Sequence, residues 1–426
     1  MRKIHNIKLK AGALQYTIFI AVVIALLVLA FISLTYTQQH FRLKTSNFLQ
    51  VIRNTNLAVN YSSAAQIPFN EIVTVQLSDQ LNDNTIILKK HWGIFDVVST
   101  TSTIGKETFT NNALLGGFFK DRPSLYVQEN NQPLVLVGNT RIEGKTLLSK
   151  QGVKRGTIAG NSYTGSQLIY GVIGFSKANL PVLKNKQYLK QFSAGEIQFE
   201  NTVPLEIQEN DVILNSFSKP TQLFYSNGSI DLREVELTGN IIIQSSSVIK
   251  VFPSAKLTDV ILIAPKIEIL DNVMGNFQGF ATKEISVGKN CKLKYPTTLI
   301  VYEKKTNVVL NQSNPNENLY QIRIQSGSEI KGIVGFLSDD EVNNYKPQII
   351  IEENTYITGE VYCSQNIELK GTVEGSVFTK GFVANQFGSI YQNHIYSGKI
   401  LSTNFPKEYC GLIIEESTKK VAKWLY

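Results

Sequence analysis

The fold is decided by Ile357-Thr-Gly-Glu-Val-Tyr-Cys-Ser-Gln-Asn-Ile-Glu-Leu-Lys-Gly-Thr-Val-Glu-Gly-Ser-Val-Phe-Thr379, where an apolar-x-Gly-x-apolar core occurs at 357 and again 16 residues later, at 373. A step of this size suits one coil of a parallel β-helix. Each coil makes two or three short strands, and its inward side chains stack on those of the coils above and below. The glycine is expected where the chain turns a corner with positive φ or where two backbones approach closely.

The same pattern recurs outside this stretch. Further copies of the glycine core are Leu237-Thr-Gly-Asn-Ile241, Ile330-Lys-Gly-Ile-Val334 and, much earlier, Ile142-Glu-Gly-Lys-Thr146. A second series steps by 18 residues through Ile249-x-Val251, Ile267-x-Ile269 and Ile285-x-Val287, and a third aligns Ile241-Ile-Ile, Ile261-Leu-Ile and Leu299-Ile-Val. These series predict a parallel β-helix over residues 201–395, with its handedness open. The alternative is an antiparallel sandwich in which the periodicity arises by chance.

The run from Ile357 to Thr379 also resembles the coils of bactofilins, which are polymer-forming bacterial cytoskeletal proteins built as small β-helices. The resemblance covers about 50 residues. It implies the coil geometry more directly than it implies polymerisation.

The N-terminus carries a long apolar segment. No Asp, Glu, Lys or Arg occurs from Ala11 to Phe41, and Thr17–Leu34 is almost wholly apolar. About 20 helical residues cross the hydrocarbon core of a bilayer, so this segment predicts a transmembrane helix at 13–37. A cleaved signal peptide is the alternative, although its apolar region is normally shorter.

Charge is concentrated beside this segment. Residues 1–70 contain seven basic residues and no acidic one, which leaves 35 basic and 34 acidic residues for the rest of the chain. The pI of about 9.1 therefore reflects a basic N-terminus on a nearly neutral body. This distribution argues against nucleic-acid binding, which needs a basic face on the folded part. Four basic residues precede the apolar segment within residues 1–12, against three in the first 20 residues after it, which favours an inner-membrane anchor with a cytoplasmic leader and an exported, periplasmic or extracellular body.

The helix is expected to continue beyond the membrane. Residues 38–60 form an amphipathic extension with Phe41, Thr45, Phe48, Ile52, Thr55 and Val59 on one face. One continuous helix and a short surface helix after a flexible joint are both compatible with this pattern. The basic leader, Gly12-Ala13 and the apolar helix together resemble type IV pilins and type II secretion pseudopilins. That resemblance implies cleavage after Gly12 and packing into a filament, although Thr17 stands where the family has glutamate.

The rest of the chain is predicted to be mainly β. Short β-branched runs such as Ile72–Leu77 and Leu134–Val137 predict a β-rich membrane-proximal region at 61–200. Residues 396–426 leave the repeat and are expected to cap the last coil or to serve as a docking tail.

Catalytic chemistry is not indicated, and we expect no catalytic, cofactor-binding or metal-binding residues and no cofactor. Polysaccharide-cleaving β-helices need clustered acids, but only Asp339 and Asp340 are adjacent among the aspartates of 230–400, in a run that also suits a helix N-cap or a solvated loop. Those aspartates are Asp231, Asp259, Asp271, Asp339 and Asp340. His394 could act as the base of a hexapeptide acyltransferase, but a structural role is the simpler interpretation.

Three other features have simple structural interpretations. The glycine-rich, basic Gly152–Gly160 could bind an anion, but it lacks a Walker A ending and is expected to be a loop between strands. Trp92-Gly-Ile-Phe95 is expected to lie in the core. Cys291, Cys363 and Cys410 are far apart and are expected to be buried free thiols.

These observations predict a noncatalytic, single-pass membrane protein that serves as a structural or assembly component of a bacterial envelope, as in a pilus or secretion filament. Its expected partners are the lipid bilayer, other envelope or filament proteins and further copies of itself. A bactofilin-like polymer-forming scaffold and a membrane-anchored carbohydrate-active enzyme or lectin are the alternatives.

Overall fold

The structure is a computed structural model, and it describes residues 11–77, 83–197, 199, 202–303, 320–339 and 345–426. The basic residues of the leader, Asp340 and Glu341 lie outside the described residues. The chain divides into two compact units: Met1–Ala58, Thr74–Ile86 and Thr100–Thr110 form the first, and Val59–Val73, Ile87–Ser99 and Asn111–Tyr426 form the second.

The first unit is built from most of a long helix and from parts of four strands. Helix α1 covers Ala11–Ala64, and strands β1–β4 cover Ile72–Val75, Asp83–Trp92, Phe95–Ile104 and Glu107–Phe118. Helix α1 is continuous, which agrees with the longer of the two predicted alternatives. Gly and Pro are absent between Ala13 and Ile67, so nothing in the sequence interrupts it.

Within the first unit, one stretch of α1 packs on the strands. Val51, Thr55 and Ala58 are buried, and the Thr100 hydroxyl donates a hydrogen bond of 3.2 Å to the Thr55 carbonyl. The predicted amphipathic face is therefore only partly correct, because Phe41 remains 62% exposed.

The second unit contains the remaining elements. In chain order they are β5 (Leu125–Val127), β6 (Leu134–Val137), β7 (Arg141–Ile142), β8 (Thr146–Leu148), β9 (Val153–Arg155), β10 (Thr157–Ile158), β11 (Asn161–Ser162), β12 (Ile173–Phe175), α2 (Lys186–Ser193), β13 (Val203–Pro204), β14 (Val212–Asn215), β15 (Gln222–Ser226), β16 (Ile230–Leu232), β17 (Glu236–Gly239), β18 (Ile241–Ser245), β19 (Val248–Val251), β20 (Lys256–Ile269), β21 (Met274–Val287), β22 (Lys292–Tyr302), β23 (Gln321–Ile324), β24 (Glu329–Leu337), β25 (Ile349–Ile351), β26 (Tyr356–Leu369), β27 (Thr372–Gln386), β28 (Ser389–Gln392), β29 (His394–Tyr396), β30 (Lys399–Leu401) and β31 (Thr418–Leu425).

Most of these strands stack in parallel as the coils of a β-helix with three sheets. The first sheet contains β14, β17, β30 and β7, the second contains β15, β18, β5, β8 and β12, and the third contains β16, β19, β23 and β25. Strands β20, β21 and β26 are long because each bends from one sheet into the next. The predicted parallel β-helix is confirmed.

The registers agree closely with the repeats in the sequence. Ile357 pairs with Val373 and Val361 with Val377, as the 16-residue step predicts. The 18-residue series is also confirmed, since Ile249 pairs with Ile267 and Ile267 with Ile285. The third series is off by one residue, because Ile261 pairs with Ile242 and not with Ile241.

Glycines form the corner between the first and second sheets. Gly239, Gly332, Gly359 and Gly375 have φ of +99°, +147°, +152° and +141°. A Cβ atom on each would collide with a backbone carbonyl of the preceding coil. Both predicted reasons for the glycine, positive φ and close approach, therefore apply at this corner.

The second sheet is buried on both faces. Val260, Leu262 and Ala264 belong to the interior core, whereas Ile261 and Ile263 belong to a second cluster outside the sheet. Side chains of α2, of the β2–β4 region and of residues 412–425 complete that second cluster. Burial on both faces explains why the sequences of these strands are unbroken apolar runs and do not alternate between apolar and polar residues.

The early segment completes the far end of the β-helix. Strand β5 pairs with β27, β7 with β30, and β8 with both β5 and β12. Residues 125–175 are therefore coils of the same solenoid, and the predicted division at residue 200 does not separate two domains. The early copy of the glycine core, Ile142–Thr146, occupies the same corner as the later copies.

The C-terminal segment runs along the side of the β-helix and does not cap its last coil. Strand β30 is itself part of the first sheet. Strand β31 pairs antiparallel with β4 at the edge of a sheet whose order is β1-β2-β3-β4-β31. The expectation of a terminal cap at 396–426 was wrong, because the apolar residues near 412–425 cover the outer face of the second sheet.

Candidate interaction surfaces

The apolar part of α1 is uncovered. The helix that spans Gly12–Ala64 has a mean hydropathy of 3.1 in its most apolar 18-residue window, and none of that window is buried. Leu14, Phe19, Leu26 and Leu29 are each more than 60% exposed. A helix of 54 residues is about 80 Å long, which exceeds the thickness of a bilayer. This segment has the length and composition to cross a membrane.

One end of the β-helix is apolar and acidic, and we call it the acidic end. Val203, Val212 and Leu214 lie on its outermost strands and are 46%, 75% and 67% exposed. Residues 202–215 contain Glu206, Glu209 and Asp211 and no Lys or Arg. The Asp211 carboxylate accepts a hydrogen bond from the backbone N–H of Gln208.

The opposite end is apolar and basic, and we call it the basic end. Ile173 and Phe175 in β12 are 50% and 71% exposed, although their neighbours in register, Thr146 and Leu148, are buried. Residues 149–177 contain Lys150, Lys154, Arg155 and Lys177 and no Asp or Glu. Lys177 forms an ion pair with Glu416 at 3.1 Å.

The glycine-rich Gly152–Gly160 lies at this basic end. It contains the strands β9 and β10, so the prediction of a loop between strands was wrong for most of its residues. Val153 pairs in register with Leu134 and so extends the third sheet.

Two of the aspartates considered for catalysis, Asp339 and Asp259, are engaged by basic side chains. Lys190 and Lys186 approach the two Asp339 oxygens at 2.6 Å and 3.1 Å, and Tyr302 donates a further hydrogen bond of 2.8 Å. Burial opposes ionisation of Asp339, but these three donors outweigh it and hold the pKa of that carboxyl well below its usual range. In a separate ion pair, Lys423 Nζ lies 2.6 Å from both carboxylate oxygens of Asp259. Ion pairs of this kind are structural.

His394 and the turn Trp92–Phe95 are the other residues considered in the sequence analysis. His394 is in β29, where Nδ1 lies 2.5 Å from the Gln392 carbonyl and the ring is 5.7 Å from that of Tyr391. Trp92, Ile94 and Phe95 are buried as predicted, and the Gln278 side chain bonds the backbone of that turn at 3.0 Å and 3.1 Å. Across the described residues, no three His, Cys, Asp or Glu side chains are grouped to hold a metal ion.

The three cysteines are buried and unpaired, as predicted. Burial raises the pKa of the Cys363 thiol to about 12 and that of Cys410 to about 11. These thiols are therefore protonated at neutral pH and unsuited to nucleophilic chemistry.

The sequence analysis missed two buried charge clusters. In the first, Asp96 is 1% exposed and lies beside Lys89, Lys419 and His91. The His91 ring is stacked between Phe69 and another aromatic ring. Burial opposes ionisation of Asp96, but the hydrogen bond from His91 and the lysine charges together lower its pKa.

The second cluster joins Arg122 to Glu360. The two side chains form an ion pair while 10% and 0% exposed, and the second Glu360 oxygen accepts a hydrogen bond of 2.6 Å from the Leu412 backbone. The rings of Phe119 and Tyr409 lie 5.0 Å and 5.2 Å from the guanidinium carbon. Neither cluster is marked by local spacing in the sequence, because its members come from distant segments.

Comparison with known proteins assigns no family. No protein-family model matches the chain, and no curated protein matches it. Among solved structures, the competence-associated pilin ComZ from Thermus thermophilus aligns over 85% of this chain and 87% of its own, at 11% identity and a TM-score of 0.20. A TM-score this low does not show a shared fold.

Proposed function

We propose that this chain is a noncatalytic, single-pass membrane-anchored structural protein of a bacterial envelope. The single observation that carries the proposal is the uncovered apolar part of α1, followed in one chain by a β-helix. Such a helix costs free energy in water and is stabilised in lipid, at about 0.8 kcal/mol per buried CH₂ group.

The proposed topology places the N-terminus in the cytoplasm and the β-helix outside it. Arg2, Lys3, Lys8 and Lys10 precede the apolar segment closely, whereas Arg42 is the first basic residue after it. Basic residues are retained on the cytoplasmic side of a membrane. The finer role, a pseudopilin-like component of a pilus or secretion filament, is supported by the N-terminal sequence pattern and implies cleavage after Gly12.

A noncatalytic role is supported by the state of the acidic groups. Asp259 forms an ion pair with Lys423. The lysines beside Asp339 lower the pKa of that carboxyl, and an acid held ionised in this way is a poor proton donor. The β-helix then serves as a rigid body whose ends and faces contact other proteins.

A second candidate function, a bactofilin-like polymer-forming scaffold, is favoured by a different observation. Among the residues that the structure describes, no coil covers the inward-facing Ile173 and Phe175 at the basic end. Open strand edges of this kind favour pairing with another chain.

Membrane extraction tests the anchor. We expect the full chain to remain in the membrane fraction after alkaline washing. Ile24→Arg with Leu27→Arg should release it, because each charge at the centre of the span costs about 2.5–3.5 kcal/mol. Thr45→Arg, beyond the apolar run, is the matched control and should not release it. A native chain that is fully soluble after cell fractionation would overturn the proposal.

The intact mass of the protein purified from membranes tests the pilin-like refinement separately. Cleavage after Gly12 should give a chain that begins at Ala13. A chain that retains residues 1–12 would remove pilin-type processing and leave the anchor intact.

A further inference from the structure

The interior of the β-helix is one continuous column, and no described strand covers either of its ends. In the second sheet, inward side chains pair in register from coil to coil along the series Phe224, Ile243, Leu262, Gly279, Leu299, Val334, Val361, Val377, Leu125, Thr146 and Ile173. At the acidic end the series gains one further member, because Pro204 pairs with Leu223 and so places Leu205 beside Phe224. Leu205 and Ile173 are therefore the two terminal members of one column.

The two ends carry opposite charge. Glu206 and Glu209 form no ion pair within the described part of the chain, and the segment around them contains no basic residue. At the other end, neither Lys154 nor Arg155 has a carboxylate partner among the described residues, and the Arg155 guanidinium donates only to the Ser166 carbonyl at 3.4 Å. Residues 202–215 therefore combine exposed apolar side chains with the unpaired acidic charges of Glu206 and Glu209, and residues 149–177 combine them with the unpaired basic charges of Lys154 and Arg155.

We propose that the acidic end of one molecule binds the basic end of a second copy. The inference rests on the structural role proposed above and names its partner. This arrangement continues the parallel ladder, since all strands of the stack run in the same direction, and it places Ile173 of one copy against Leu205 of the next. Head-to-head and tail-to-tail contacts bring like charges together and turn the strands antiparallel.

Such a contact is heterologous, because two different surfaces meet. A heterologous contact that does not close into a ring produces a filament. The opposite charges at the ends select the head-to-tail orientation, and the apolar side chains supply the buried surface. The attraction is screened by salt, with a Debye length of about 10 Å at 0.1 M and about 3 Å at 1 M.

Charge reversal tests the proposal on the full chain in detergent micelles, with sedimentation velocity as the measurement. Wild-type chains should associate at low salt and lose at least tenfold in apparent affinity at 1 M salt. Glu206→Lys with Glu209→Lys, and separately Lys154→Glu with Arg155→Glu, should each abolish association. An equimolar mixture of the two variants should associate again, because each then meets an opposite charge. Circular dichroism of each variant verifies that the β-helix is folded.

Cross-linking tests the register. The native cysteines are buried, so new ones react selectively. Ile173→Cys chains mixed with Leu205→Cys chains should form a disulfide-linked dimer under mild oxidation. Ile173→Cys chains mixed with Val212→Cys chains are the matched control. This pair should form no disulfide-linked dimer, because Val212 lies on the first sheet, although Val212 is more exposed than Leu205.

Three outcomes overturn the inference: a monomer at every protein concentration and low salt, association that survives both charge reversals, or equal cross-linking in the control pair. None of them affects the membrane-extraction result, so the anchor and the end contact fail independently.

Discussion

Replacing Gly359 with alanine tests the corner on which the stack of coils depends. Gly359 has a φ of +152°, and a Cβ atom there would collide with the Gly332 carbonyl of the preceding coil and lie 2.8 Å from the Tyr409 hydroxyl. The substitution therefore combines an unfavourable backbone conformation with a steric overlap between two backbones.

The two effects can be estimated separately. A non-glycine residue in a sparsely populated φ region costs about 1–3 kcal/mol. Relief of an overlap in a packed core costs about a further 1–3 kcal/mol. The free energy of unfolding should therefore fall by about 4 kcal/mol in Gly359→Ala.

Two control variants separate these terms. Gly152 has a φ of +68° with open space around it, so Gly152→Ala should lose only the backbone term of about 1–2 kcal/mol. Gly228 lies outside the left-handed region and has only the Ser226 hydroxyl near it, at 3.9 Å, so Gly228→Ala should be neutral or slightly stabilising.

Urea denaturation of the full chain in detergent micelles, followed by tryptophan fluorescence, gives the three free energies of unfolding. Equal losses for Gly359→Ala and Gly152→Ala would refute the argument, because the close approach of the coils would then contribute nothing.

Three further predictions concern the buried polar groups. Glu360→Gln should lower the free energy of unfolding by about 3–5 kcal/mol, because it leaves the Arg122 charge buried and unpaired. The double variant Arg122→Met/Glu360→Leu should lose less stability, because it leaves no buried charge. Urea denaturation of both variants measures the two losses. The pKa of Asp96 is lowered in the folded chain, so the ionised carboxylate stabilises the fold at pH values above its unfolded pKa of about 3.9. This contribution is lost as the pH falls through the folded pKa. Asp96→Asn should therefore reduce the loss of stability at acidic pH, measured as the free energy of unfolding against pH. Cys363, with its pKa raised to about 12 by burial, should not react with an aromatic disulfide reagent at pH 8 in the folded chain and should react once urea unfolds it.

The coil geometry could be predicted because short, repeated sequence patterns encode it. The glycine corners and the 18-residue series each fix a repeating position, and a register tied to a glycine or to an isolated Ile-x-Val pair has little freedom to shift. The third series was misaligned by one residue because all three residues of Ile241-Ile-Ile are the same. A strand buried on both faces has no polar side chain that would show which residues point inward.

The membership of residues 125–175 in the solenoid could not be predicted in the same way. The Ser376 hydroxyl bonds the Pro123 carbonyl across 253 residues of sequence, and the ion pair of Lys419 with Asp96 spans 323. Such contacts have no local period. The early glycine core at Ile142–Thr146 was the one signal that placed this segment on the same corner as the later copies.

This order of coils has a consequence for how the chain assembles. In the first sheet Val373 is followed by Ile400 and Ile142, and in the second sheet Val377 is followed by Leu125. Strands from both halves of the chain must therefore meet before the basic end exists. A fragment of residues 201–426 would lack β5, β7, β8 and β12 and would expose the inner surface of β27. Association of such a fragment would report an artificial apolar end. The proposed head-to-tail contact therefore requires the whole chain, in which residues 149–177 supply the basic surface and residues 202–215 supply the acidic one.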